Sequence, residues 1–379
     1  MTYPARPLPE QGERGPSVLH VLWSGQVGGV ERLVRDLASA QSARGVAVGV
    51  AIAKNQGPLA AELSARGLPI VDLSLGSGYD IRPRRLGRAA TEVAAWDVIH
   101  LHGFNVPLAL VTIRADRPIV FTDHGSAPRG GRRAVWDLAK RGLLALFLRR
   151  RVQRATANSR HTATRTSTLY GVPDAKLSVV YNGVAMDGPV ASGRVGDEGG
   201  LVVAFVGRLV DFKRVDRLLQ AAARVPAGQS VRCLVIGGGP LEDELRSLAR
   251  RLSLEGRVNF LGVRNDVASL LSGVDVLVQP SEGEPFGLAI IEGCALGLLP
   301  IAFADGGGAL EVLPPDGRVV DDPEHLARTL QDLVGSAELS EEARRARSEW
   351  ALETFPIAAT AEGFDAVYRS AMARDLSKR

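Results

Sequence analysis

Short apolar runs alternate with amphipathic stretches along the chain, and the same rhythm occurs twice. In the first half, runs such as VLHVLW (18–23) and VIHLHG (98–103) are separated by longer stretches with helical periodicity. In the second half, LVVAFVG (201–207) and VDVLVQPS (274–281) alternate with stretches such as 240–254. Strands that are apolar on both faces and alternate with helices are typical of parallel sheets covered by helices. The pattern therefore predicts an α/β protein with two doubly wound domains.

The alternation is interrupted at positions 185–200, where Gly, Pro, Ser and charged residues predominate. Such a composition is typical of a linker. We therefore expect a disordered lead-in at 1–17, a first domain at 18–184, a second domain at 201–355 and a C-terminal helix at 356–379 that returns to the first domain. Open α/β sheets bind ligands at the carboxyl ends of their strands, so the two domains are expected to face a central cleft.

Composition limits the class of protein. Of the 379 residues, 45% are hydrophobic and 23% are charged, as in globular proteins. No run of about eighteen apolar residues occurs, and the first 17 residues lack the apolar segment of a signal peptide. The two cysteines, Cys233 and Cys294, lie within apolar runs, which argues against a disulfide framework or a zinc site. These features predict a cytoplasmic protein.

The net charge is +4, but positive charge is concentrated in the first half. The first 184 residues carry 25 Lys and Arg against 13 Asp and Glu. Segment 129–154 alone has nine basic residues and one acidic residue, together with Trp, Leu and Phe. Such a segment can lie on an anionic membrane surface, or it can be a core-packing helix with a solvated basic face. The sequence leaves both interpretations open.

The stretch SEGEPFGLAIIEG (281–293) places Glu284 directly after a predicted strand and Glu292 in the helix that follows. Pro285 suits the first turn of that helix, where its missing N–H costs nothing. A carboxylate such as Glu292 can accept hydrogen bonds from two vicinal hydroxyls. The helix start would offer backbone N–H groups to an anion, those of Phe286, Gly287 and Leu288. The sequence of this loop therefore predicts a site that binds a sugar diphosphate joined to a ribose.

A basic pair lies in FVGRLVDFKRVDRLL (205–219). Arg208 ends a predicted strand and Lys213 precedes a helix, so both can converge on phosphate oxygens. Basic residues in such loops are usually solvated, and the motif is weak by itself. Its place in the same domain as the Glu284 loop favours phosphate binding.

In this order, the motifs resemble glycosyltransferase family 4, the retaining nucleotide-sugar transferases of the GT-B fold. The resemblance covers nearly the whole chain after about residue 17. It implies two Rossmann-like domains and a nucleotide diphosphate sugar as the donor substrate, with no cofactor. In the second half it rests on GRLVDFKR, VIGGGPLEDELRSLA, VNFLGVRNDVASLLSGVDVLVQPS and EPFGLAIIE, and in the first half on GQVGGVERLVRDLA, DVIHLHG, FTDHG, ANSR and VVYNGV.

The resemblance implies roles for the residues of these motifs. Arg208 and Lys213 match the pair that neutralises the donor diphosphate, where other folds use a metal ion. Glu284 matches a residue that holds hydroxyls of the donor sugar, and Glu292 matches one that binds the ribose. The backbone donors of the same loop are matched by Phe286, Gly287 and Leu288.

Other matches are individually weaker. His124 matches the histidine beside the donor sugar, although a lone histidine is more often structural. Gly28 and Gly29 match a glycine loop that lets backbone approach donor phosphate or acceptor, but they could be a plain helix start. The loop expected near the base contains Val263 and Arg264.

Some residues favour a structural interpretation or depart from the family pattern. His100 and His102, on or just after a strand, are predicted to be structural. Arg214 stands where relatives have a small residue, and Gly125 stands where an acidic residue is common. These departures affect the prediction of substrate more than that of reaction class.

Together, the motifs and the resemblance predict a metal-independent, retaining glycosyltransferase. It would use a UDP- or GDP-sugar as the donor. The acceptor would carry a hydroxyl group and would be either lipid-linked or a precursor of a glycan or natural product. If segment 129–154 binds the membrane, the enzyme would be peripheral to it. The chain has no D-x-D motif. Two alternatives remain, a nucleotide-sugar epimerase of the same fold and a non-catalytic sugar-nucleotide binder. Nucleic acid is not an expected partner, because the basic segment has few aromatics and no recognisable binding module.

Overall fold

The computed structural model describes residues 15–26, 28–78, 80–125, 134–185, 200–226 and 230–376, with backbone alone at 134–137 and 375–376. Most of the predicted lead-in and linker, and the first five residues of the basic segment, lie outside the described residues. The chain divides into two compact units. Residues 1–185 and 357–379 form the first unit, and residues 186–356 form the second.

The first unit contains a seven-stranded parallel sheet in the order β3-β2-β1-β4-β5-β6-β7. Its strands are β1 Val18–Leu22, β2 Val48–Ile52, β3 Ile70–Asp72, β4 Val98–Leu101, β5 Ile119–Asp123, β6 Arg154–Ala157 and β7 Leu177–Val179. The helices are α1 Gly29–Ala43, α2 Gly57–Ala65, α3 Pro83–Ala94, α4 Val106–Ala115, α5 Ala134–Arg150, α6 Arg160–Tyr170 and, from the end of the chain, α13 Ile357–Leu376. The strand order reverses between β1 and β4, which makes the carboxyl ends of these strands the switch point of the sheet.

Helix α13 is part of the core of the first unit. Phe364 and Tyr368 are each 1% exposed and pack with Val18, Val98 and Val120 from the three central strands. Burial of aromatic side chains of this size stabilises a domain strongly. Residues far apart in sequence therefore complete one hydrophobic core.

The second unit contains a six-stranded parallel sheet in the order β10-β9-β8-β11-β12-β13. Its strands are β8 Leu201–Val206, β9 Val231–Ile236, β10 Val258–Gly262, β11 Val276–Gln279, β12 Leu299–Phe303 and β13 Arg318–Val320. The helices are α7 Val215–Arg224, α8 Glu242–Arg251, α9 Val267–Leu271, α10 Leu288–Ala295, α11 Pro323–Asp332 and α12 Glu341–Thr354. The switch point of this sheet lies between β8 and β11.

The predicted fold class is confirmed, since each unit is a parallel sheet with helices in a doubly wound order. Strands β8, β11 and β12 are buried almost throughout, which explains their continuous apolar sequences. Within the described ranges, no helix is both long and apolar enough to span a bilayer.

Candidate functional site

The switch point of the second sheet brings together two of the predicted site residues. Lys213 ends a 3₁₀ turn (Asp211–Lys213) after β8, and Glu284 lies in the loop after the neighbouring strand β11. Lys213 Nζ donates a hydrogen bond to Glu284 Oε2 over 2.7 Å. A cation and a carboxylate thus meet at the edge where open α/β sheets bind ligands.

Backbone hydrogen bonds tie the Glu284 loop to the loops of both neighbouring strands. The N–H of Glu282 donates to the carbonyl of Phe212 (2.7 Å), and the N–H of Gly283 donates to the carbonyl of Asp305 (2.8 Å). The N–H of Gly308 donates to the carbonyl of Glu284 (2.7 Å). These bonds fix the Glu284 backbone between the loops that follow β8 and β12.

Glu284 is only 7% exposed. Burial alone would raise its pKa. The Lys213 ammonium, together with hydrogen bonds from Lys213, Ser281 and Gln279, outweighs that effect and holds the pKa of Glu284 below its usual value. Gln279 Nε2 donates to Glu284 Oε2 over 2.8 Å, while Gln279 Oε1 is buried with no hydrogen-bond partner among the described residues.

Arg214, a departure from the family pattern, has a structural position beside this pair. It has a left-handed backbone conformation (φ 47°) before α7, and its guanidinium contacts Glu282 (3.1 Å) and Asp216 (3.1 Å). The Lys213 turn is thereby linked to the Glu284 loop through a second ion pair.

The predicted place of Pro285 is wrong. Helix α10 begins at Leu288, so Pro285 precedes the helix and does not occupy its first turn. The reason is Gly287, which is the N-cap and has φ 96°, a left-handed conformation that glycine adopts at little cost. Phe286 is 2% exposed, and its ring contacts that of Phe355 at 6.4 Å between centroids.

The other residues predicted to bind the nucleotide-sugar donor lie near this pair in sequence and differ in their exposure to solvent. Leu288 begins α10, and Glu292 lies one turn further along, half-buried. Arg208 follows β8 after one residue and is exposed. The anion site formed by Phe286, Gly287 and Leu288 remains a prediction, as do the roles of Glu292 and Arg208.

The loop predicted to lie near the base follows β10, at the edge of the sheet. Val263 is 73% exposed, and Arg264 pairs with Asp266 at 2.6 Å. A Cβ on Gly238 would lie 3.1 Å from Val263 Cγ2, so Val263 covers the loop after β9. Both side chains are on the surface of the second unit.

In the first unit, Gly28, Gly29 and His124 all lie at carboxyl ends of central strands. Gly28 is the N-cap of α1 and Gly29 is its first residue, so the helix starts close to the switch point beside β1. A Cβ on Gly28 would lie 2.3 Å from Glu31 Oε2, the end of a flexible side chain, and the backbone of Gly28 is extended (φ −163°), so the structure does not require glycine there. His124 directly follows β5 and is half-buried.

Four histidines form a connected cluster that sequence reasoning did not predict. His102 Nδ1 lies 3.0 Å from His124 Nε2, and His102 Nε2 lies 2.9 Å from His20 Nδ1. The His100 ring packs beside them at a tilt, with its centroid 4.0 Å from that of His102. His102 therefore contacts the predicted site histidine directly. The position of His102 directly after β4, which lies between β1 and β5 in the sheet, was the feature from which this contact could have been predicted.

Burial disfavours the charged form of these imidazoles. Desolvation lowers the pKa of His20 and of His124 to about 4 in each case. The same effect, reinforced by the neighbouring histidines, lowers the pKa of His100 and His102 well below the ordinary value. A neutral imidazole has one donor and one acceptor nitrogen.

Among the described residues, one group could hold a metal ion, formed by His20, His100 and His102 with ligand atoms within 4.8 Å of one another. Both nitrogens of His20 and of His100 are already engaged in hydrogen bonds with protein groups. The group lies inside the first unit, whereas the Lys213–Glu284 pair lies in the second.

Comparisons with known proteins match both units. Residues 27–187 match the family model described as Glycosyltransferase Family 4, and residues 194–350 match the model described as Glycosyl transferases group 1. A D-inositol 3-phosphate glycosyltransferase of Mycolicibacterium vanbaalenii is 30% identical over 282 residues, or 65% of this chain and 62% of that protein. The same enzyme of Mycobacterium tuberculosis is 35% identical over 181 residues, or 43% of this chain and 36% of that protein. The chain thus spans about three fifths or less of these curated relatives.

Solved structures agree on the fold. The Anabaena protein HepE, solved with UDP and glucose, has a TM-score of 0.78 at 20% identity, covering 94% of this chain and 100% of that chain. Sucrose-phosphate synthase from Thermosynechococcus elongatus has a TM-score of 0.74 at 21% identity, covering 95% and 100%.

Two parallel-sheet units, each matched by a glycosyltransferase model, define a protein of the GT-B class. These matches confirm the resemblance to glycosyltransferase family 4 that the motifs predicted.

Proposed function

We propose that the protein is a metal-independent, retaining glycosyltransferase that transfers a sugar from a nucleotide diphosphate sugar to a hydroxyl acceptor. The observation that carries the proposal is the contact between Lys213 and Glu284 at the switch point of the second sheet, 2.7 Å between Nζ and Oε2. It combines a cation suited to phosphate with a buried carboxylate suited to sugar hydroxyls.

The site residues of the second unit have different roles in this proposal. Lys213 and Arg208 neutralise the charge that develops on the departing diphosphate. Glu284 accepts hydrogen bonds from hydroxyls of the transferred sugar, and Gln279 Oε1 is a further buried acceptor beside it. Glu292, one turn into α10, binds the ribose.

Retention of configuration follows from attack on the face that the leaving group vacates. The acceptor oxygen bonds to the anomeric carbon as the bond to the β-phosphate oxygen breaks, and that phosphate oxygen takes the acceptor proton. No protein group has to form a covalent sugar intermediate in this scheme. Arg208 and Lys213 then stabilise the nucleoside diphosphate product.

A UDP-sugar is the first donor to test, because HepE structures are described with UDP and with UDP-glucose. Inositol phosphate is the first soluble acceptor to test, because the curated relatives are named for it. GDP-sugars and lipid-linked hydroxyls complete the panel.

Helix α5 supports a membrane-associated acceptor and a peripheral location on an anionic membrane. Leu138, Leu143 and Leu146 are 66%, 51% and 54% exposed, beside the exposed Arg149 and Arg150. Leucines that face solvent next to arginines suit an anionic lipid surface. The same helix packs Phe147 and Leu148 into the core, so a core-packing side and the proposed lipid-facing side are compatible on one helix.

Incubation with UDP- and GDP-sugars tests the proposal. A transferred sugar that keeps its anomeric configuration, read by NMR, supports it, and inversion contradicts the retaining mechanism. A changed sugar with no transfer would indicate an epimerase. Binding of nucleotide without turnover of any donor would indicate a non-catalytic binder.

A further inference from the structure

A chain of hydrogen bonds between buried side chains runs from α13 to His124 within the first unit. Tyr368 Oη accepts from Gln41 Nε2 (3.4 Å), and Gln41 Oε1 lies 2.7 Å from His20 Nε2. His20 Nδ1 lies 2.9 Å from His102 Nε2, and His102 Nδ1 lies 3.0 Å from His124 Nε2. Tyr368, Gln41, His20 and His102 are all at most 8% exposed.

The polarity of this chain follows from Gln41. Its carbonyl oxygen can only accept, so His20 must carry its proton on Nε2 and leave Nδ1 as an acceptor. His102 must then donate from Nε2 and accept at Nδ1, and His124 must donate from Nε2. The remaining nitrogen, His124 Nδ1, is left with a lone pair.

Tyr368 fixes which way the Gln41 amide faces. Because Tyr368 Oη accepts from the amide NH₂, its own proton goes to His100 Nδ1, 2.8 Å away. Each further group then donates to the next one. His100 Nε2 donates to Thr122 Oγ1 (2.6 Å), and Thr122 Oγ1 donates to Thr156 Oγ1 (2.6 Å). Thr156 Oγ1 donates to the carbonyl of Phe121 (3.4 Å), which can only accept. The reverse order would leave that last bond unmade, which favours the first order.

We propose that Tyr368, Gln41, His20 and His102 are positioning residues that fix His124 as the Nε2–H tautomer, so that His124 Nδ1 accepts a hydrogen bond from a ligand hydroxyl. The identity of that ligand as a sugar rests on the proposed function, whereas the tautomer does not. A hydroxyl can donate to this nitrogen, but an ether or carbonyl oxygen at the same place cannot. The chain therefore makes His124 selective for hydroxyl-bearing ligands.

NMR of the full chain, labelled with ¹⁵N in histidine, tests the tautomer directly. Long-range ¹H–¹⁵N correlations distinguish a protonated from an unprotonated ring nitrogen. We expect His124 in the wild-type protein to be protonated at Nε2 alone. Protonation at Nδ1 or a doubly protonated ring would overturn the proposal.

Tyr368→Phe tests the remote part of the chain, because it removes only the hydroxyl that orients Gln41. We expect His124 to become a mixture of the two tautomers. The matched control is Tyr170→Phe, a buried tyrosine of the same unit outside the chain, which should leave the His124 spectrum unchanged. A pure Nε2–H tautomer in folded Tyr368→Phe would overturn the role of Tyr368 and Gln41.

The activity of the same variants provides a second readout. Tyr368→Phe removes a neutral hydrogen bond and with it the fixed tautomer of His124. We therefore expect kcat to fall by between about threefold and tenfold, with the nucleotide Kd unchanged. An equal fall in the Tyr170→Phe control would contradict the proposal. If the protein transfers no sugar at all, the proposed function fails, and the NMR result alone decides the tautomer.

Discussion

Lys213 and Glu284 hold opposite charges 2.7 Å apart, with side chains only 13% and 9% exposed. Removing one partner of a pair this buried leaves an uncompensated charge, which typically costs about 3–5 kcal/mol. The pair is therefore both a structural element of the loop and the centre of the proposed donor site. Substitutions have to be chosen so that these two effects can be separated.

Glu284→Gln should nearly abolish transfer while leaving nucleotide affinity close to normal. The amide keeps the shape of the side chain but removes the charge that acts on sugar hydroxyls, and losses of at least about a hundredfold in kcat are typical for such groups. The matched control is Glu292→Gln, which should mainly weaken nucleotide binding. Steady-state kinetics and calorimetric titration with nucleoside diphosphate measure the two effects. If Glu284→Gln chiefly raises the Kd of the nucleotide, the glutamates are assigned to the wrong ends of the donor.

Lys213→Met should reduce stability in a pH-dependent way. In the wild-type protein the pKa of Glu284 is lowered, so its stabilising contribution is present above the ordinary value of 4.5 and is lost as pH falls. Without Lys213, burial raises that pKa, and the carboxyl is protonated in the folded state at mildly acidic pH. The difference in unfolding free energy between the two proteins should thus be larger at pH 7 than at pH 4.

Urea denaturation at the two pH values measures this difference, with Arg208→Met as the exposed control. The same two variants should each bind nucleoside diphosphate less tightly, by roughly 1.5–3 kcal/mol for Lys213→Met. A stability difference that does not change with pH would mean that the Lys213 charge does not set the pKa of Glu284. Unchanged diphosphate affinity would rule out its phosphate role.

At the scale of single elements, the start of α10 depends on one glycine. Gly287→Ala would place a Cβ at 3.2 Å from both Ala309 Cα and Val312 Cγ2, with φ at 96°. The left-handed conformation alone costs an alanine about 1–2 kcal/mol. We expect a fall in unfolding free energy of at least that size. The control is Gly87→Ala in α3, where a Cβ meets no atom within 4 Å, and which should be neutral or stabilising.

Helix α5 carries the prediction about membranes. Liposomes that contain anionic lipid should sediment the protein at low salt, because exposed leucines and arginines lie side by side on this helix. The double variant Leu143→Ser, Leu146→Ser should sediment less. Val319→Ser with Val334→Ser, which removes two exposed valines of the second unit, is the control. Failure of the wild-type protein to sediment would favour a soluble acceptor.

For the whole molecule, the proposed chemistry predicts activity in EDTA. Charge on the leaving diphosphate is neutralised by Arg208 and Lys213, so chelation of divalent ions should leave the transfer rate largely unchanged. Transfer rates measured before and after dialysis against EDTA check this expectation. Loss of activity that magnesium or manganese restores would contradict it.

The sequence predicted the sheets well because buried parallel strands leave continuous apolar runs, as in β8 and β11. It also placed Glu284 directly after a strand, and Lys213 in the loop between a strand and a helix. It could not predict that they touch, since 71 residues separate them and the strand order decides their distance. The misplacement of Pro285 has a local cause, because the left-handed conformation of Gly287 delays the helix by three residues.

The histidine chain was beyond sequence reasoning for a similar reason. Gln41 and Tyr368 are 327 residues apart, and neither belongs to a motif. The packing of α13 against α1, within the same core as the central strands, brings them together. His102, in contrast, lies after a central strand and next to the His124 strand, a position from which contact follows once the strand order is known.

The discontinuous makeup of the first unit has a consequence for biosynthesis. Residues 186–356 are synthesised before residues 357–376, so the first unit lacks one of its core helices until that last helix has been made. Until then Val18, Val98 and Val120 have no Phe364 or Tyr368 to cover them. The half of the protein that is translated first is therefore expected to be the last to reach its native state, and nascent chains stalled before residue 357 should be the form that chaperones bind.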